Sequence, residues 1–419
     1  MKKYCKNIAD FLILLLYNIF LTAILPLLLI FFLHRLLIKK ETTRSFVQKL
    51  YLTFAFSWFK KSQNFDIWFH AASVGELRSL NFLIEKNIQK KHKILITTTT
   101  RKSAEIVCQY SSQYVKHSFL PIDFFLFQVL FFIKNRARKI IIADSEIWIN
   151  FFTVARIFRT KIFLFNARMS NSSRKKWEYV PYVLHSVLQS VKVILPQGYS
   201  ELNFFSKFHN NVRYFGNLKM MNLNAKKQNL NEKITKFPKK QVLCVVSTHE
   251  GEDELIIKQI VHSHEQFDII YCPRHPHRAL DISKILLKYG IQNSIFSQKI
   301  EETSCLVVDE IGLLDSVFSV AEIAIYGGSF LPHLRGHNVM EPAAFGCKII
   351  TGSFVETFAQ VIDEMKTHNA IIQCDSSEIQ RKIEALLSGN FQDIGTNAKN
   401  YIANNMPNLQ KILEELEEV

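Results

Sequence analysis

Apolar residues fall along this chain in two regimes. The first is one long run over residues 11–33, FLILLLYNIFLTAILPLLLIFFL, which holds 23 residues without a charge. At helical rise it spans roughly 35 Å, enough for a bilayer core. The run is long for a secretory signal, and no small-x-small cleavage site follows it, so the pattern predicts a membrane anchor. Pro26 is a candidate kink. Lys2, Lys3 and Lys6 precede the run, and His34, Arg35, Lys39 and Lys40 follow it. Cations on both sides give only a weak preference for a cytoplasmic location of the rest.

Past a basic connector the second regime begins. Short apolar runs over 66–70, 93–97, 139–143, 161–165 and 191–195 read as strands, and helix-length segments such as 76–89 and 102–114 separate them. Near-continuous apolar strands alternating with helices predict a parallel sheet covered on both faces. A polar stretch, 222–240, has the composition of a boundary. The alternation then restarts over 241–247, 267–272, 304–308, 322–326, 347–351 and 370–373. The predicted class is α/β: two doubly wound, Rossmann-like domains facing a cleft, with an N-terminal transmembrane helix. The anchor covers 1–40, the first domain 41–222, a linker 223–240 and the second domain 241–419. The acidic end, 411–419, reads as a solvated helix.

Composition narrows the partners. Of 419 residues, Lys and Arg outnumber Asp and Glu by 52 to 37, a formal +15. Such a surface favours nucleic acid, anionic lipid or phosphorylated substrates, although solubility alone gives the same balance. No basic low-complexity arm, zinc-finger spacing or RNA-binding aromatic signature accompanies it, which argues against nucleic acid. Seven cysteines (Cys5, Cys108, Cys244, Cys272, Cys305, Cys347 and Cys374) are scattered singly, several inside apolar runs. A reduced compartment is expected, without disulfides or zinc.

Ligands of doubly wound sheets bind outside the carboxyl ends of the strands, and the distinctive words of this sequence fall there. After the run 322–325 comes YGGSFLPHLRGHNVMEPAAFG, residues 326–346. Its glycines allow a sharp turn and close approach to a ligand, and Asn338 opens a predicted helix with Glu341 in the first turn. A helix start suits a phosphate, and Glu341 suits the two hydroxyls of a ribose. An ordinary strand–loop–helix has the same pattern. In the first half, His70-Ala71-Ala72-Ser73-Val74-Gly75-Glu76 makes a tight strand-to-helix turn. There Glu76 is either a general base or an acid favoured by the helix dipole. Asp144-Ser145-Glu146, Asn166-Ala167-Arg168 and Gly216-Asn217-Leu218-Lys219 add an acid and two cations at strand ends. In the second half the words are STHEGE (247–252), PRHPHR (273–278) and DEIGL (309–313). Arg274 offers a fork for two phosphate oxygens. His275 and His277 lack a nearby third ligand for a metal.

Taken together, HAASVGE, NARMS, GNLK, STHEGE, PRHPHR and GGSF…GHNVMEPAAFG resemble the 3-deoxy-D-manno-octulosonic acid (Kdo) transferases of lipopolysaccharide synthesis. The resemblance covers essentially the whole chain. It implies a GT-B glycosyltransferase that moves Kdo from CMP-Kdo to lipid IVA with inversion, at the cytoplasmic face of a bacterial inner membrane. Glu76 is implied as the catalytic base, with Asp144 and Lys219 stabilising the transition state. CMP contacts are implied for Pro273 and Arg274, for Ile311, Gly312 and Leu313, and for Asn338, Val339, Met340 and Glu341. No cofactor is implied, and with no Asp-x-Asp at a strand end the reaction is expected to be metal-independent. This chain departs from the family in three places. Asp144 stands where Glu is usual. Ile311-Gly312-Leu313 replaces Met-Gly-Glu, so only backbone contacts carry over there. Arg101 and Lys102 replace a usual Thr-Gly, so the family's acceptor contacts at that turn do not carry over. The alternatives are a GT-B enzyme using another nucleotide sugar and a membrane-anchored binder without turnover.

Overall fold

The computed structural model describes residues 2–52, 62–110, 112–144, 146–220, 223, 230–298, 301–391 and 393–417. It divides into two compact units, Met1–Lys219 with Pro407–Val419, and Met220–Met406.

In the first unit, a helix over Lys2–Leu37 precedes the sheet, and its stretch Phe11–Leu37 is long and apolar enough to cross a membrane. Pro26 lies inside it. Half-buried positions recur along it at 13, 14, 17, 18, 21, 24, 25, 28, 29 and 32, the spacing of one helical face. That face makes polar contacts with the unit. The Tyr17 hydroxyl donates to Asp123 (3.1 Å), and the Asn18 amide donates to Asn150 Oδ1 (2.9 Å). The opposite face leaves Leu16, Phe20, Leu27 and Ile30 exposed.

The strands are β1 (Gln63–Ala71), β2 (Ile94–Thr98), β3 (Val115–Phe119), β4 (Asn135–Ala143), β5 (Lys161–Ala167) and β6 (Val191–Pro196). They pair in parallel in the order β3-β2-β1-β4-β5-β6. The order reverses between β1 and β4, and a crevice opens at the carboxyl ends of such a pair. The central strands are apolar on both faces because helices cover both. Trp68 on β1 is fully buried, packed on Phe131, Phe132 and Phe151 with ring centroids 5.1–5.3 Å away. Its indole N–H donates to Thr97 Oγ1 at 2.7 Å, so the buried polar atom is satisfied.

The second unit repeats the design with β7 (Gln241–Thr248), β8 (Phe267–Pro273), β9 (Asn293–Ile295), β10 (Cys305–Val307), β11 (Ala321–Tyr326), β12 (Lys348–Thr351) and β13 (Ile372–Gln373). All pairings described are parallel, in the order β13-β12-β11-β7-β8-β10-β9. Here the order reverses between β7 and β11. Cys244, Cys272, Cys305 and Cys347 are buried in this core, where they act as small apolar side chains.

Two boundaries differ from those read in the sequence. The expected linker 223–240 lies partly outside the described residues. Its described part includes the helix Glu232–Lys236, whose Ile234 is fully buried in the second unit's core. The acidic end, expected in the second domain as a solvated helix, groups with the first unit. Its helix Leu409–Glu417 buries Ile412 and Leu416, which recur at i, i+4 among the charges. Lys139 Nζ donates to the Leu416 carbonyl at 2.8 Å, and Asn408 N–H donates to the Phe215 carbonyl at 2.7 Å. Ile412→Ala is therefore expected to destabilise the first unit by about 2–4 kcal/mol. Hydrogen exchange should show β4 to β6 losing protection while β7 to β13 keep theirs; equal loss in both units would contradict this packing.

Candidate active site

In the first unit, the site residues gather at the β1/β4 reversal. Strand β1 ends at Ala71, and Ser73 caps the helix Val74–Gln89. The Glu76 carboxylate folds back over the turn. One oxygen accepts from Ala72 N–H (2.7 Å) and the other from the Ser73 hydroxyl (2.7 Å). Ser73 Oγ in turn accepts from Glu76 N–H at 3.3 Å, which caps the helix. Each carboxylate oxygen retains a second lone pair, so both can still accept a proton from a substrate. Beneath the turn, Thr97 Oγ1 lies 2.9 Å from His70 Nδ1, and Thr99 Oγ1 donates to the Ala72 carbonyl at 2.8 Å. Full burial pushes the His70 imidazole down to about 4, so it is neutral and supports the turn.

Across the reversal, β4 ends at Ala143 and Asp144 takes a left-handed φ of 60°. Its N–H continues the ladder by donating to the Phe165 carbonyl at 2.9 Å. Glu146, two residues on, was not singled out as a site residue from the sequence. Burial first, then the charge on Glu76 and more weakly that on Asp144, push its carboxyl up to about 6. The Trp148 indole, donating to Glu146 Oε2 at 2.9 Å, opposes the shift. Three carboxylates thus share one sheet edge. The signal available in the sequence was the repeated acid in Asp144-Ser145-Glu146-Ile147-Trp148; Ser145 lies outside the described residues. Asn166, also left-handed (φ 54°), accepts from Leu218 N–H at 3.2 Å and so ties the end of β5 to the Leu218–Met220 turn. Lys219 sits in that turn, and its side chain lies outside what the structure describes.

The second unit gathers its words at the β7/β11 reversal. Glu252, fully buried, joins them. One oxygen accepts from His249 N–H and Gly328 N–H (both 2.8 Å), the other from Ser329 N–H (3.0 Å) and Phe330 N–H (2.9 Å). The turn after β7 is thereby bound to the GGSF turn after β11. A Cβ on Gly327 would lie 2.7 Å from Thr248 Cα, and one on Gly328 would lie 2.3 Å from the His337 ring, so both positions require glycine. His337 Nε2 lies 2.9 Å from His249 Nε2, and burial pushes His337 down to about 4. Neither Glu252 nor this histidine pair was singled out from the sequence; the acid directly after Gly251 in STHEGE was the only signal.

Several of the residues expected to contact CMP come together. Pro273, Arg274, Ile311, Gly312 and Leu313 line one cleft with Ser247. Arg274 is exposed, and its N–H donates to the Thr248 carbonyl at 3.1 Å. The buried Tyr326 hydroxyl feels both the Glu341 carboxylate and the Arg274 guanidinium, which places those two around one group at the end of β11. Asn338 donates to Glu341 Oε1 at 3.5 Å, and its own Oδ1 accepts from Met340 N–H at 3.3 Å. Val339 and Met340 bury their side chains, so only their main chain can meet a ligand. The helix expected to open at Asn338 begins at Met340 and runs only to Phe345.

The raised Glu146 carboxyl carries a stability cost. Its folded value, about 6, exceeds the ordinary carboxyl value of 4.5, so ionisation disfavours the folded state and stability is lost as pH rises from about 4.5 to 6. Glu146→Gln, which keeps an acceptor for Trp148, should raise stability by about 1 kcal/mol at pH 7.5. The gain should vanish near pH 4.5 in thermal unfolding; a gain independent of pH would contradict the assignment.

Comparison with known proteins bears on this arrangement. The family model described as 3-Deoxy-D-manno-octulosonic-acid transferase (kdotransferase) matches residues 44–222. The 3-deoxy-D-manno-octulosonic acid transferase of Rickettsia felis is 31% identical over 369 residues, 83% of this chain and 77% of that protein. That of Rickettsia bellii is 29% identical over 408 residues, 94% of this chain and 95% of its own length. A glycosyltransferase crystal structure from Rickettsia africae superimposes with a TM-score of 0.53 at 12% identity, covering 86% of this chain and 99% of that one. That likeness speaks for the fold, the GT-B arrangement of two Rossmann-like domains. The chain belongs to the Kdo transferase family of glycosyltransferases.

Proposed function

We propose that this chain transfers Kdo from CMP-Kdo to lipid IVA with inversion, and that Glu76 is the general base. The observation that carries the reading is the Glu76 carboxylate, held at the β1/β4 reversal by Ala72 N–H and Ser73 Oγ with lone pairs left over. An acceptor hydroxyl attacks the anomeric carbon of Kdo while its proton passes to Glu76. The bond from that carbon to the phosphate oxygen breaks, and CMP leaves with the electron pair. Asp144 and Lys219 stabilise the charge that develops. The second unit holds the nucleotide: Arg274 takes the phosphate, Glu341 the ribose hydroxyls, and Pro273 with the main chain of Ile311, Gly312, Leu313 and Asn338–Met340 frames the rest. Preorganised donors of this kind stabilise the leaving group without reorganising. The reaction needs neither metal nor other cofactor. The apolar helix anchors the chain in a bacterial inner membrane with both units cytoplasmic, where the acylated acceptor is presented.

Purified full-length protein given CMP-Kdo and lipid IVA with EDTA present should release CMP. Glu76→Ala should lower turnover by at least about a hundredfold, the usual worth of a general base, while CMP still binds. A wild type inactive with CMP-Kdo but saturable by a UDP-sugar would overturn the donor assignment, and loss of activity in EDTA would overturn metal independence.

Arg274→Ala should raise the KM for CMP-Kdo about tenfold or more, the worth of a charged phosphate contact, and leave the KM for the lipid unchanged. An unchanged donor KM would remove Arg274 from the nucleotide site.

A further inference from the structure

The end of the apolar helix and the turn after β2 enclose a basic cavity of about 490 Å³ to which no role is assigned above. Arg35, Lys39 and Lys40 line it from the helix end, and Arg101 and Lys102 line it from the helix Arg101–Val107. One carboxylate, Glu105, faces these five cations. It pairs with Arg101 at 2.8 Å, while Arg35 pairs with the buried Glu41 at 3.3 Å. Among the described residues, Lys39, Lys40 and Lys102 have no ion-pair partner, so the cavity keeps a net positive field.

Two features give the cavity a direction. Lys39 occupies a left-handed φ of 57° just past the helix, where the chain turns and glycine is ordinarily favoured. The cavity also adjoins both the apolar helix and Glu76. Its lysines follow directly on the stretch Phe11–Leu37, where headgroups lie if that helix anchors the chain as proposed above, and Val74, two residues before Glu76, forms part of its wall.

We propose that this cavity binds a phosphomonoester carried by a membrane lipid, seated by Arg101, Lys102, Lys39 and Lys40. Assigning that phosphate to the acceptor itself rests on the lipid IVA reading above; the other source of the same chemistry is an anionic phospholipid headgroup. Arg101 and Lys102 stand where the family usually has Thr-Gly, so the site belongs to this chain.

The test compares wild type with Arg101→Ala/Lys102→Ala, both exposed positions, in the full-length protein. Transfer is measured to lipid IVA and to phosphatase-treated lipid IVA. Sedimentation is measured with phosphatidylcholine vesicles with and without phosphatidic acid. Removing two cations at a lipid surface should raise the KM for lipid IVA at least about tenfold and leave that for CMP-Kdo unchanged. The effect should disappear with the dephosphorylated acceptor, and the charge-conserving Arg101→Lys/Lys102→Arg should restore the wild-type value. Loss of phosphatidic acid binding with an unchanged acceptor KM would assign the cavity to a phospholipid headgroup. No change in either assay would overturn the proposal. A wild type without transfer would instead defeat the functional reading, and the vesicle assay would still decide the cavity.

Discussion

A buried carboxylate sets the shape of the second unit's ligand edge. Four backbone N–H groups, from His249, Gly328, Ser329 and Phe330, point inward where β7 and β11 have ended and no neighbouring strand can receive them. Unmet, each would cost about 1–3 kcal/mol. A neutral amide brings one acceptor atom, whereas the two oxygens of Glu252 bring lone pairs for all four. The solution constrains the sequence further. Both turns must come within reach of one side chain, which leaves no space for a Cβ at Gly327 or Gly328. The glycines of GGSF and the acid of STHEGE therefore follow from one geometric demand. The first unit applies a smaller version at its own strand reversal, where Glu76 closes a single turn through Ala72 and Ser73.

Strain is concentrated at the same edges. Asp144 follows β4, and Asn166 and Ser247 are the next-to-last residues of β5 and β7; all three are left-handed, with φ of 60°, 54° and 59°. Side chains there cost roughly 1–2 kcal/mol each, least for Asp and Asn. Such conformations persist where surrounding contacts over-determine them. Asn166 is fixed by Leu218 N–H, and Asp144 by the Phe165 carbonyl. Asn166 and Ser247 fall where the pairing of β5 with β6 and of β7 with β8 shifts register, one residue before each strand ends.

What was legible in the sequence follows from burial. Central strands such as β1, β4, β7 and β8 are covered on both faces and read as continuous apolar runs. The edge strands β3 and β9 did not register. Val115-Lys116-His117-Ser118-Phe119 is mostly half-exposed, and Asn293-Ser294-Ile295 has three residues, so neither needed an apolar run. The helix Leu409–Glu417 was misplaced because two buried positions among acids resemble a solvated helix; the contacts that dock it are long-range in sequence. The strand-end words behind the family resemblance include Arg274, Gly312 and Leu313, which line one cleft, but they did not mark Glu252 or Glu146. Their importance lies in what they face across the fold, and no local pattern records that.

The acidic edge of the first unit shows how a departure from the family pattern can be absorbed. Asp is better tolerated than Glu in the left-handed conformation at position 144, because its short side chain bonds locally, but its reach is shorter by one methylene. Glu146 brings a full-length carboxyl to the same edge, anchored by Trp148. Three carboxylates so placed repel one another, and a proton relieves the repulsion at least cost where burial already favours the neutral acid. That group is Glu146, raised by burial and by the charge of Glu76. The two hydrogen bonds on Glu76 instead come from a main-chain N–H and a hydroxyl, both of which stabilise an acceptor. The arrangement is retained at the expense of some folding stability, as expected where an edge is shaped for chemistry.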